Sequence, residues 1–133
     1  RPSKIIKMLK TALGMPLDTK RVGIFGLTYK EGTAFIGKSA VPLIVKNLRE
    51  SDIEIRLYQK SLTENPELPY LIAANCHALL FLNPEKEFLK FDFDKINSVM
   101  REPKIIFDAY NFLPKSDLET KGFLYLAIGR GGK

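Results

Sequence analysis

Of the 133 residues one is a cysteine, Cys76, and one a histidine, His77. A lone cysteine excludes an internal disulfide and a multi-cysteine metal site, and fits a reducing, cytoplasmic setting. No apolar run approaches the ~20 residues a membrane helix requires. There is no secretory signal pattern, no internal repeat and no low-complexity stretch. The chain opens on Arg1, as a fragment or a processed chain would. No basic run interleaved with aromatics is present either, so nucleic acid is not an expected partner.

What is present is a globular composition, 45% hydrophobic and 27% charged, with a formal net charge of +6. That charge favours anionic partners. Its carriers are dispersed. Lys4, Lys7 and Lys10 lie along one predicted helix, while Lys86, Lys90, Lys95 and Arg101 stand among acids. Most of these read as solvated helix faces.

Periodicity divides the chain into alternating elements. Residues 4–13 place Ile5, Leu9, Ala12 and Leu13 at helical spacing, closed by Gly14 and Pro16. A strand is predicted over 21–27. A helix runs from an N-cap at Ser39 to about Glu50, with Pro42 in its first turn and Leu43, Ile44 and Leu48 as its buried stripe. Strands follow over 53–59, 78–83, 104–110 and 123–129, and helices over 66–76 (Leu68, Leu71 and Ile72 inward) and 93–100. Apolar runs such as 78–82 are those of strands covered on both faces. The expected fold class is α/β: a three-layer, Rossmann-like domain whose mostly parallel sheet carries helices on both sides. Residues 1–19 read as a leading helix and linker, with 20–133 as the domain. In such sheets ligands sit beyond the carboxyl ends of the strands, at the switch in strand order. Attention therefore falls on 28–39, 59–62, 83–85 and 108–111.

Residues 32–39 match G-x-x-x-x-G-K-[ST], the phosphate-cradling P-loop, and residues 105–108 could supply a magnesium-directed Asp108. Four residues separate this motif from the strand, however, and Phe35 and Ile36 are bulky where amides must converge on phosphate. The weaker reading stands beside it: a helix start at Ser39 able to hold an anion.

The string RVGIFGLTYKEGT, with Ser39 following, resembles the opening of the C-terminal domain of the UDP-glucose/GDP-mannose dehydrogenase family. Gly26, Leu27, Tyr29, Lys30, Thr33 and Ser39 match its pattern. The likeness continues through EIRLYQ, ALLFLNPEKEF with Phe88, the segment 91–113, and the closing KGFLYLAIGR. It covers nearly the whole chain, and residues 1–13 look like the end of the segment joining a middle domain to this one. The resemblance implies a nucleotide-sugar 6-dehydrogenase using NAD, in which an N-terminal domain holds NAD and a middle region supplies the catalytic cysteine and a homodimer contact. The C-terminal domain closes over a UDP-sugar. On its own the chain would then bind without catalysing. Tyr29 and Lys30 would contact the nucleotide sugar, the tyrosine on the uracil face and the lysine on the diphosphate. From the residues alone, a core Tyr29 and a solvated Lys30 stand as the alternatives.

The sequence departs from the family at several ligand positions. Tyr110 replaces the substrate-contacting Arg of Asp-x-Arg-Asn and offers no guanidinium fork. Gly37 and Lys38 replace the Arg-Glu before Ser39, so Lys38 with Ser39 is the expected cofactor-side pair. Gln59-Lys60 stands for Asp-Pro. An altered nucleotide-sugar site and a diverged interaction module both follow from these changes. Cys76 reads as a small buried residue and His77 as a structural one; adjacent helix positions do not face each other, so they form no dyad. Asp108 either binds ligand or caps the next turn, Asn111 orders its loop, and Arg130 meets an anion or is solvated.

Overall fold

The computed structural model describes residues 2–27, 40–59 and 65–128. Five strands form one sheet: β1 (Arg21–Phe25), β2 (Glu54–Leu57), β3 (Ala78–Phe81), β4 (Ile105–Asp108) and β5 (Leu124–Ala127). Their order is β2-β1-β3-β4-β5, and all four pairings are parallel. The chain steps one way from β1 to β2, then returns past β1 to β3. That reversal leaves a crevice at the carboxyl ends of β1 and β3.

Among the described residues five helices cover the sheet: α1 (Pro2–Leu13), α2 (Ala40–Glu50), α3 (Leu68–Ala73), α4 (Phe93–Val99) and α5 (Lys115–Thr120). Alternate residues of each strand point to opposite faces, so β3 divides its fully buried side chains between two cores. Ala78 and Leu80 join an aliphatic core with Val22, Ile24, Ile105 and Phe107. Ile5, Leu9 and Leu13 of α1 and Ala40, Ile44 and Leu48 of α2 close that face. Leu79 and Phe81 join the opposite core under α3, α4 and α5. There Phe25 stacks on Phe81 with ring centroids 4.8 Å apart and on Tyr58 at 4.9 Å, and Phe88 meets Phe81 edge-on at 5.2 Å. Such pairs add about 0.5–1.5 kcal/mol each beyond the area they bury.

The three-layer parallel architecture is the expected one, with differences of detail. In α2 the buried stripe is Ala40, Ile44 and Leu48, while Leu43 is 54% exposed. One residue is about 100° of helix, enough to turn Leu43 out of the seam between α1 and the sheet. The predicted helix over 66–76 is shorter, because Asn75 takes the left-handed conformation (φ 64) and turns the chain into β3. Leu71 is consequently 53% exposed, and Pro69 and Ala73 carry the burial. The strands are trimmed at their ends to four residues in β2, β3, β4 and β5. Within 14–20, the predicted linker, Leu17–Thr19 form a 3-10 turn. A second such turn, Lys86–Lys90, seats Phe88, and α5 was not anticipated. The Ser39 cap lies outside the described residues. α4 carries its own cap, Asp92 accepting from the Lys95 amide at 3.1 Å.

Candidate functional site

The crevice begins at Gly26, one residue past β1. Its φ of +87 belongs to the left-handed region that glycine enters freely. A side chain there is also excluded by space: a Cβ would fall 2.5 Å from the Asn83 amide nitrogen. The close approach continues the β1–β3 ladder, with the Leu82 amide donating to the Phe25 carbonyl at 2.9 Å. The Asn83 side-chain amide then donates to the Gly26 carbonyl at 2.7 Å. Asn83 is 4% exposed, so this bond is made in a dry setting. It ties the exits of the two strands on either side of the reversal together.

A second fixture stands at the exit of β4. Asp108 is wholly buried. Its carboxylate accepts from the Tyr110 amide (3.1 Å), the Leu113 amide (2.8 Å) and the Tyr125 hydroxyl (2.8 Å). The Tyr125 oxygen is also 3.1 Å from Asn111 Oδ1, and Asn111 adopts φ 57. Burial first, then the hydrogen bond to Asp108, raises the Tyr125 phenol well above its ordinary pKa, so the hydroxyl stays a donor. Asp108 therefore caps the turn after β4, and Asn111 orders the loop as expected. Tyr110 sits at the carboxyl end, half-buried, its ring against the aliphatic core. At the neighbouring exit of β2, the Tyr58 hydroxyl donates to Glu87 at 2.8 Å.

Of the expected site residues, Tyr110 lies at this end of the sheet. Tyr29, Lys30, Lys38 and Ser39 lie outside the described residues, as does Arg130. Asn83 and Tyr125 are the fixtures that residue patterns did not single out. Asn83 fell within a flagged loop, and Tyr125 within the closing motif, but their partners are 57 and 17 residues away.

Cys76 is wholly buried, its Sγ 3.1 Å from the Ile72 carbonyl, and burial pushes its thiol up to about 12. It is inert as a nucleophile. His77 accepts from the Arg21 amide at Nδ1 (3.0 Å), which ties it to the entry of β1. No group of three or more metal-ligating His, Cys, Asp or Glu side chains stands among the described residues.

The model of the UDP-glucose/GDP-mannose dehydrogenase family, UDP binding domain, matches residues 23–115. This chain belongs to that family. The matched span contains Gly26, Asn83 and Asp108. The chain is 30% identical, over 97% of its length, to UDP-glucose 6-dehydrogenase of Rickettsia bellii (strain RML369-C), of which it covers 32%. It is likewise 30% identical over 97% of its length to UDP-N-acetyl-D-mannosamine dehydrogenase of Methanococcus aeolicus, covering 30% of that protein. In three dimensions it matches UDP-D-ManNAc dehydrogenase from Pyrococcus horikoshii with a TM-score of 0.75 and 25% identity, over 99% of this chain and 31% of that one. The chain thus spans about a third of the length of the family members it matches. Within this family the P-loop reading of residues 32–39 finds no support. Asp108, which it would direct at magnesium, has both carboxylate oxygens engaged by its own loop and by Tyr125.

Proposed function

We propose that this chain is the nucleotide-clasping part of an NAD-dependent nucleotide-sugar 6-dehydrogenase, which oxidises the sugar 6-hydroxyl of a UDP-sugar to a carboxylate. The observation that carries the proposal is the Gly26–Asn83 junction at the strand-order reversal, within the matched UDP-binding domain. The chain leaves β1 there, at the end of the sheet where ligands of such folds sit, shortly before Tyr29 and Lys30 in sequence. In this reading Lys30 neutralises the diphosphate, Tyr29 packs on the uracil and Tyr110 borders the sugar nucleotide. Lys38, one position beyond the family's arginine, restores a positive charge at a helix start that already favours anions, with Ser39 beside it.

NAD supplies the hydride acceptor when bound to the whole enzyme. The sequence contains no G-x-G-x-x-G, so its principal cradle belongs to a companion domain. The nucleophilic cysteine comes from elsewhere as well, since burial holds the Cys76 thiol protonated. The part played by this chain is binding, orientation and exclusion of water. α1 leads in from the companion domains, the full-length enzyme is a homodimer, and it works in the cytoplasm.

Calorimetric titration of the intact dehydrogenase with UDP-glucose, UDP and Mg-ATP tests the proposal. UDP-sugar and UDP bind, and Lys30→Ala weakens both by roughly tenfold or more, as loss of a charged hydrogen bond requires. Lys38→Ala weakens binding less. Preference for Mg-ATP, or unchanged affinity in Lys30→Ala, would overturn the reading.

A further inference from the structure

At the opposite, amino-terminal end of the sheet lies a cleft of about 200 Å³, lined by Thr19, Arg21, Glu54, Asn75, His77 and Arg101. It is smaller than the ~300 Å³ at which drug-sized pockets begin. Four separate stretches of chain build it: the entry to β1, the first residue of β2, the turn between α3 and β3, and the turn after α4. β1 alone separates it from Gly26, so it shares no residue with the crevice described above.

Its chemistry is that of a donor surplus. Arg101 donates through Nε to Asn75 Oδ1 at 3.2 Å, and its two terminal nitrogens have no partner among the described residues. That leaves a guanidinium edge offering two parallel N–H groups. Asn75, its oxygen engaged, keeps its amide N–H groups for the cleft. His77 accepts from the Arg21 amide at Nδ1, so the neutral ring carries its proton on Nε2, also without a partner among the described residues. The acceptor side is thin. Glu54 is the one carboxylate in the lining, and it is bound to Arg21 at 3.0 Å. Arg21 also donates to the Ala74 carbonyl at 3.3 Å, which fixes its guanidinium in the wall. The charges facing His77 are Lys20, Arg21 and Arg101, with Glu54 the lone counter-charge of the cleft.

We propose that this cleft is a binding site for a small oxyanion, a phosphate- or carboxylate-sized group, held by Arg101 and the His77 Nε2–H. Arg101 takes two oxygens through its free edge, Asn75 and His77 donate from the side, and Arg21 supplies field from behind. The bound charge offsets the local cation excess and places a negative neighbour beside the imidazole.

His77 is the sole histidine of the chain and so reports on its own site. Its ring resonances are followed by NMR while the 133-residue chain is titrated with inorganic phosphate, with sodium acetate, and with sodium chloride at matched ionic strength. Phosphate shifts the ring signals saturably and raises the His77 pKa, and chloride does neither. A saturable acetate response as well identifies a carboxylate-accepting site; its absence identifies a phosphate site. Arg101→Ala weakens the saturable response by roughly tenfold or more, and Arg101→Lys, which keeps the charge and loses the fork, falls between. Arg101 is exposed, and unchanged amide dispersion certifies the fold of both variants. A non-saturating response, one that chloride reproduces, or one that survives Arg101→Ala overturns the proposal. Because the nucleotide crevice is not probed, failure here leaves the proposed function standing.

Discussion

Asp108, at the carboxyl end of β4, and Arg101, shortly before its amino end, treat their hydrogen-bonding groups in opposite ways. Asp108 is wholly buried, and its two oxygens are bound by two amides of the loop it organises and by the Tyr125 hydroxyl of β5. Arg101 is exposed, and among the described residues only one of its side-chain nitrogens has a partner. The contrast extends to the neighbours. Asn83 locks Gly26 at one end, whereas Asn75 and His77 at the other each keep a donor toward the cleft. A parallel sheet aims its loops for ligand from the carboxyl side, and those loops must start from fixed points. The amino side carries no such demand in this fold, so its unengaged donors call for their own explanation.

The comparison is broken most severely at Gly26. Gly26→Ala must hold alanine in the left-handed region, about 1–2 kcal/mol. It must also push the backbone just past β3 away from a Cβ that would lie 2.5 Å from the Asn83 nitrogen. Overpacking of that kind adds about 1–3 kcal/mol. The expected loss of roughly 2–5 kcal/mol is a large share of a domain's ~5–15 kcal/mol and is read from the urea midpoint at unchanged slope. A loss under about 1 kcal/mol would mean that the junction yields easily and does not fix the segment after β1.

Asp108 comes next. Asp108→Ala strands the Leu113 and Tyr110 amides and leaves the Tyr125 hydroxyl with Asn111 alone, and about 3 kcal/mol of destabilisation follows. Tyr125→Phe removes the hydroxyl alone and costs about 1 kcal/mol, because both backbone bonds to Asp108 survive. A Tyr125→Phe effect as large as that of Asp108→Ala would show that the phenol, and not the carboxylate, organises the turn.

These fixtures mark the limit of what is legible in the sequence. Continuous apolar runs and helical apolar spacing gave the layers and the parallel sheet, because burial on both faces leaves its mark residue by residue. α5 escaped because its buried contribution is a single side chain, Leu118. Leu43 and Leu71 were placed inward because both are apolar at roughly the right spacing, while the seam each helix meets is narrower than its apolar arc. At the site, Asp108 and Asn111 could be flagged from their place after a strand. That Asp108 also holds the Tyr125 hydroxyl follows from the sheet pairing, which brings β5 alongside β4. Local spacing carries no signal for such a contact.

The smallest effect sharpens the amino-terminal half of the comparison. Burial, then the charge of Lys20, lowers the His77 pKa below its ordinary 6.5. The unfolded chain therefore takes up a proton at a higher pH than the folded one does. Above about pH 6.5 the contribution of His77 to stability is fully present, and it is lost as pH falls through the folded pKa. The ring is partly solvated, so the loss is a fraction of a kcal/mol after screening. His77→Asn keeps an acceptor for the Arg21 amide and removes the titration. Wild type should lose slightly more stability between pH 7 and pH 5 than His77→Asn, measured as the difference of urea midpoints at each pH. If an oxyanion occupies the cleft, phosphate added at constant ionic strength raises the folded pKa toward the unfolded one and closes that gap. A gap indifferent to phosphate would leave the imidazole sensing only the protein's own cations.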